Sequence, residues 1–215
     1  MILLIGSQKG GCGKSTTAAS ICAELAAQGK DVVLVDADRQ STAANWAADR
    51  QGNEALPIVH CIQKYDNIRQ TLLDLDKRYG FVVVDAAGRD SRELRTGMTA
   101  ANVLLVPFRP SQPDLDTLPY MQEVITQVRD LNPGLRVFGL LTMNPTNPSI
   151  HEEAEAREYL QDFPAIQPLR TLIHDRKVYR DSMSIGMGVT EMGNPKAKAE
   201  IQELLKANFA HPPKL

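Results

Sequence analysis

An apolar run, Ile2-Leu3-Leu4-Ile5, leads into Lys9-Gly10-Gly11-Cys12-Gly13-Lys14-Ser15-Thr16 and then into a helical pattern. Strand, glycine-rich loop and helix in that order make a cradle for phosphate. The glycines let the backbone curl until its N–H groups point inward. The helix begins at its positive end, and Lys14 supplies a cation to the β- and γ-phosphates. Ser15 offers a hydroxyl to Mg²⁺. A plain phosphate loop carries glycine where Gln8 stands, so the strict pattern fails at that position. Lys9 stands at the loop entrance instead, poorly placed for its own γ-phosphate and able to reach a neighbour's. That placement points to two chains closing over one nucleotide.

The rest of the chain alternates strand and helix signals. Val32–Val35, a weaker run at Ile58–Ile62, Phe81–Val84, Val103–Val106, Val137–Leu141 and Thr171–Ile173 read as strands. Between them lie amphipathic patterns: Ala18, Ile21, Cys22 and Leu25; Ile68, Leu72 and Leu75; Met121, Ile125 and Val128; and Glu152 to Leu160. Asn194 before Pro195 reads as a cap and first-turn proline for a last helix through Phe209. Continuous apolar strands separated by such helices predict an α/β fold, a mostly parallel twisted sheet covered on both faces. With 215 residues and no linker or repeat, one domain over residues 1–210 is expected, with 211–215 a disordered tail.

Composition narrows the classes. No apolar run approaches the roughly 18–20 residues of a membrane span. Cys12, Cys22 and Cys61 are too scattered for a disulfide framework or an iron–sulfur cluster, so reduced thiols in the cytoplasm are expected. A net charge of −2 excludes binding to nucleic acid by bulk charge and leaves only a local basic patch.

Ligands in parallel sheets sit at the carboxyl ends of strands. Asp36-Ala37-Asp38 closes one strand, and a carboxylate there suits Mg²⁺ or the attacking water. Asp85 follows Phe81-Val82-Val83-Val84, where an aspartate reaches the metal through its water shell. In Asp85-Ala86-Ala87-Gly88 the Gly88 amide is placed to sense the γ-phosphate. The stretch Arg170 to Arg180 holds four cations and one acid. Arg89, Arg92 and Arg95, interleaved with Asp90 and Glu93, read as a solvated helix face.

Taken together, these motifs resemble the deviant Walker ATPases of the ParA/MinD group, closest to short plasmid-partition ParA proteins without an N-terminal DNA-binding domain. The resemblance rests on Lys9–Thr16, Asp36-Ala37-Asp38-Arg39-Gln40-Ser41, Phe81–Gly88, Pro107–Asp114 and Arg176–Glu191; the family usually has proline at the position of Arg39. It implies a P-loop NTPase fold and ATP with Mg²⁺ as ligands. Lys9, Lys14 and Asp38 are the catalytic residues it implies. It puts nucleotide on Lys9 to Thr16 (Cys12 in the variable slot), Gly88, and the base-side residues Pro107, Met143 and Asn144. Metal falls to Ser15, Asp38 and Asp85, with Asp36 structural. No Asn-Lys-x-Asp follows at Asn144, which favours ATP over GTP.

The activity so implied is ATP hydrolysis by a dimer that binds DNA non-specifically through Arg176, Lys177 and Arg180. A ParB-like or small centromere-binding adaptor would stimulate it, and the protein would be nucleoid-associated. Two rivals stand beside this expectation. One is a metabolic enzyme in the manner of dethiobiotin synthetase, activating a small carboxylic substrate. The other is a MinD-like membrane-bound ATPase, whose tail helix would use Ile201, Leu204, Leu205 and Phe209. The mixed charge of that helix (Glu200, Glu203, Lys198, Lys206) speaks for packing on the sheet instead.

Overall fold

The central strand of the sheet is the first one in the chain, as expected when an N-terminal apolar run is buried on both faces. The structure is a computed structural model that describes residues 1–147 and 152–208. In it, β1 (Ile2–Ile5) lies between β4 (Phe81–Ala86) and β5 (Val103–Phe108). The strand order is β3-β2-β4-β1-β5-β6-β7. The remaining strands are β2 (Val32–Ala37), β3 (His60–Gln63), β6 (Arg136–Asn144) and β7 (Gln167–His174). Every pairing is parallel. This is the predicted doubly covered parallel sheet.

Alternate residues of the continuous apolar strands face opposite sides, as a period of two requires. Leu4, Val35, Val84 and Leu104 pack under α3 (Arg69–Asp76), α4 (Arg92–Met98), α6 (Leu118–Arg129) and α7 (Glu152–Leu160). Leu3, Leu34, Val83 and Leu105 pack under α1 (Lys14–Ala27), α2 (Thr42–Gln51) and α9 (Pro195–Asn208). Two short helices, α5 (Gln112–Leu115) and α8 (Lys177–Met183), and a 3₁₀ turn at Val189–Glu191 complete the described chain.

Several boundaries differ from the sequence reading. β3 starts at His60 rather than Ile58, because its ladder with β2 begins at the Val33–His60 pair. Ile58, 66% exposed, lies before it. β6 runs on to Asn144, which pairs with His174, so the loop expected at 144–148 begins later; Pro148 lies outside the described residues. α5 went unread because four residues carry no helical period. Asn194 does cap α9, its Oδ1 accepting from the Ala197 amide at 3.1 Å. Ile201 and Leu204 on that helix are fully buried and Leu205 is 9% exposed, which commits the apolar face to the sheet. Phe209 and the tail at 211–215 lie outside the described residues. Among the described residues no helix is long and apolar enough to cross a membrane.

One buried ion pair fastens the end of the chain to α2. Arg50 donates through Nη1 and Nη2 to both Glu191 oxygens at 2.8 and 2.7 Å, and through Nε to the Pro57 carbonyl. Its side chain is 1% exposed. Removing one partner of such a pair strands the other charge in a dry site. Glu191→Ala is therefore expected to cost about 3–5 kcal/mol in urea denaturation, whereas Glu203→Ala, on the exposed side of α9, should cost under about 0.5 kcal/mol.

Candidate nucleotide-binding site

β1 stops at Ile5 and α1 starts at Lys14, leaving eight loop residues to turn over the carboxyl edge of the sheet. Gly11 (φ 73°) and Gly13 (φ 81°) take the left-handed conformation that a side chain resists. Gly13 caps α1 and its carbonyl accepts from the Thr17 amide. Lys14 is 7% exposed, and its Nζ donates to the Lys9 carbonyl at 2.8 Å. The loop is braced from outside. Thr142 Oγ1 donates to the Cys12 carbonyl at 2.9 Å and lies 3.2 Å from the Phe108 carbonyl. Arg109 Nε donates to the Gly11 carbonyl at 3.0 Å, and its Nη2 reaches the same oxygen. Ser7 Oγ touches the buried Cys12 Sγ at 3.0 Å.

Register places the acidic residues. Ile5 pairs with Asp85, and Asp85 with Asp36, so three strands end at one level. Asp36 is fully buried, and its oxygens accept from the amides of Asp38 (3.0 Å) and Ala44 (2.8 Å). It fixes the turn into α2, and burial raises its pKa. Asp38, two residues further, accepts from the Gln40 amide and faces the cleft. Asp85 is 1% exposed, and apart from the nearby Ser15 hydroxyl neither of its oxygens has a partner among the described residues. Burial pushes its pKa up to about 7; the nearby Ser15 hydroxyl pulls it back and Asp36 adds to the rise.

Beyond β4, Gly88 lies against the loop. A Cβ there would stand 2.7 Å from both Lys14 Nζ and the Lys9 carbonyl oxygen, and 2.8 Å from Gly10 Cα. Only glycine permits that approach. The resulting cleft, about 520 Å³, is lined by Gly11, Lys14, Ser15, Asp38, Gly88 and Met143 among others. A second cleft shares Gly13, Thr16 and Met143 with it and runs on to Thr142, His174 and Tyr179. Met143 takes φ 51°, a left-handed value unusual for a long side chain.

The structure thus gathers Gly10, Gly11, Gly13, Lys14, Ser15, Thr16, Asp38 and Gly88 around one cleft, with Met143 at its far end. Lys9 lies at the rim, half-buried, and gives its carbonyl to Lys14. Three of the expected site residues stand apart from that cleft. Pro107 sits inside β5, buried and paired with Leu140, and lines neither cleft, because the strand runs two residues further than its hydrophobic run suggested. Asn144, 5% exposed, likewise lines neither; its carbonyl accepts from the Asp175 amide. Arg176 is not a surface cation: its Nε and Nη2 donate to Glu200 Oε1 at 2.9 and 2.8 Å. Glu200 also accepts from the Tyr179 hydroxyl at 2.8 Å and lies 2.8 Å from His174 Nδ1. Lys177 and Arg180 do face water, 80% and 66% exposed, beside Asp181 and Asp175.

Arg95 pairs with Asp90 at the surface, as the solvated-face reading had it. Thr142 and Arg109 escaped the sequence reading. Both stand at carboxyl ends of strands, the one signal that could have flagged them.

A parallel sheet whose first strand feeds a braced glycine loop, with carboxylates at the ends of β4 beside it and of β2 beyond, defines a P-loop nucleotide-binding protein. The family model for the CobQ/CobB/MinD/ParA nucleotide binding domain matches residues 3–208, and the chain belongs to that family. Maintenance of carboxysome distribution protein A of Halothiobacillus neapolitanus is 29% identical over 208 residues, 94% of each chain. The chromosome-partitioning ATPase Soj of Thermus thermophilus is 28% identical over 184 residues, 72% of this chain and 74% of its own. The fold is shared with a Cyanothece McdA variant solved in complex with ATP. That match has a TM-score of 0.77 at 17% identity and covers 100% of this chain and 98% of that one.

The raised Asp85 pKa has a defined pH signature. The unfolded chain releases this proton near the ordinary 3.8, the folded chain only near 7. Between those values the folded state binds more protons, so this group's contribution to stability falls as pH rises and levels off above about 7. Asp85→Asn removes the effect. Without nucleotide or Mg²⁺, the variant should gain on the parent chain by a few kcal/mol (~) between pH 4 and pH 8. Urea titrations across that range test it; a constant difference would show that Asp85 is not held protonated.

Proposed function

We propose that this chain is an ATP-hydrolysing positioning ATPase that closes into a homodimer over ATP. Its ATP form binds DNA non-specifically in the cytoplasm, on the nucleoid. A partner carried on the cargo, of the ParB-like or small centromere-binding kind, stimulates hydrolysis and releases it. The observation that carries this reading is the convergence of the Lys9 carbonyl and Lys14 Nζ of the phosphate loop with Gly88 of the segment after β4.

The residues suit ATP with Mg²⁺. Curled backbone amides and Lys14 meet the phosphates, and the Ser15 hydroxyl stands beside a buried carboxylate, Asp85, whose oxygens have no other partner among the described residues. A dication resolves the cost of that buried charge. When bound, Mg²⁺ supplies charge neutralisation on the phosphate oxygens. Asp38, facing the cleft, orients the attacking water, and the Gly88 amide reports the γ-phosphate to the segment after β4. Lys9, its side chain at the rim without an ion-pair partner among the described residues, reaches the triphosphate of the facing subunit. The named relatives distribute carboxysomes or partition chromosomes, which favours a large cargo, DNA or a protein body, over a small-molecule substrate.

The dimer gives a direct test. Sedimentation should show dimers with ATP in the presence of Asp38→Ala to block turnover, monomers with ADP, and monomers with ATP once Lys9→Ala is added. Dimers with ADP alone, or dimers indifferent to Lys9, overturn the sandwich.

DNA contact now falls to Lys177 and Arg180, with Arg170 nearby in sequence. Their exposed partners hold them weakly, since surface ion pairs are worth about 0–1 kcal/mol. Joint replacement of Lys177 and Arg180 by alanine should lower ATP-dependent retention of random duplex at least about tenfold at moderate salt, with nucleotide affinity unchanged. Arg176→Ala should instead lower the melting temperature.

A further inference from the structure

The geometry points to Arg109 as a positioning residue that sets the direction of the phosphate-loop amides; this rests on the nucleotide-binding reading above. Arg109 directly follows β5, in Phe108-Arg109-Pro110, and its backbone is held firmly. The Arg109 amide donates to Asp114 Oδ1 at 3.2 Å, Ser111 Oγ to Asp114 Oδ2 at 3.1 Å, and Thr117 Oγ1 to the Asp114 carbonyl. Asp114 is 6% exposed. With the backbone so held, docking costs only the side chain's own rotamer freedom, and the planar guanidinium loses less of it per hydrogen bond than an ammonium would.

It docks on a carbonyl. Nε and Nη2 both donate to the Gly11 oxygen, and among the described residues no acidic side chain forms an ion pair with the guanidinium. The peptide bond is planar and trans, so its N–H points opposite to its C=O. Holding the Gly11 oxygen toward Arg109 therefore turns the Cys12 N–H to the other side. Arg109 lines none of the main cleft, and Gly11 does. Thr142 does the same to the next peptide: its grip on the Cys12 oxygen turns the Gly13 N–H away from β6.

Two side chains from neighbouring strand ends thus fix two successive amides. With φ 73° and no side chain, Gly11 has little of its own to stop its peptide rotating, and a rotation would aim a carbonyl at incoming phosphate. A Cβ on Gly11 would also stand 2.9 Å from Arg109 Nη2, so glycine there is what lets the guanidinium close in.

The amides so aligned serve the inner phosphates, common to ATP and ADP. The experiment follows from that. Affinity for ATP and for ADP is measured by calorimetry on the whole chain, for the parent, Arg109→Ala and Arg109→Lys, with melting temperature without nucleotide as the folding control. Arg109→Ala should weaken ATP and ADP alike, about tenfold, the scale of one charge-assisted hydrogen bond. Arg109→Lys, which keeps one donor, should recover part of that loss. In hydrolysis assays the loss should appear in KM, with kcat within about twofold. Loss confined to ATP would mean direct contact with a γ-phosphate and overturn the inference, as would unchanged affinity in a folded Arg109→Ala. If the parent itself binds neither nucleotide, the nucleotide-binding reading fails first, a result distinct from either.

Discussion

Parallel pairing of β4 with β1 on one side and β2 on the other brings Ile5, Asp85 and Asp36 to one level, and every group of the site hangs from that level. A one-residue slip in either ladder would turn Asp85 to the other face of the sheet and lift it from beneath Ser15. The pairing is safe because the strands are apolar on both faces, and two separate cores penalise any slip. Asp36 then turns the chain by catching two amides, which sets Asp38 at the cleft wall. Asp85 has no such protein partner, and its raised pKa is the electrostatic record of that.

The phosphate loop is built on a similar division of labour. Its inner surface offers backbone amides and Lys14, while its outer carbonyls are taken up by side chains from elsewhere in the sheet: Thr142 from β6 and Arg109 from the end of β5. Glycine supplies the curvature but no rigidity; the braces supply the rigidity. Gly88 closes the arrangement from the third side, near enough that a methyl group would force the strand end and the loop apart. Movement of Lys14 or of the Lys9 carbonyl is therefore felt directly after β4.

How far the sequence carried depended on the range of the interaction. The β1–loop–α1 unit is contiguous, so Lys9 to Thr16 were legible at once, as were Asp38 and Asp85 from the rule that strands end at ligands. Helix α9 was legible from Asn194-Pro195 and its apolar spacing. The bracing residues were not, because Thr142 and Arg109 touch the loop across 130 and 98 positions of chain. Arg176 misled for the same reason. In the string it belongs to a run of cations; in space its nearest charge is Glu200, one face of a helix 24 residues away. Strands β5 and β6 run two and three residues past their expected ends at Val106 and Leu141, enough to bury Pro107 and Asn144 where a loop would have exposed them.

Glu200 serves Arg176, Tyr179 and His174 at once, in a cluster that is mostly buried. Exchange of any one of the four leaves a polar group stranded, so neutral drift at these sites is blocked one step at a time. Across related chains the quartet at 174, 176, 179 and 200 is accordingly expected to be inherited or replaced as a block, giving a covariation signal that links β7, α8 and α9 where no ligand need be invoked.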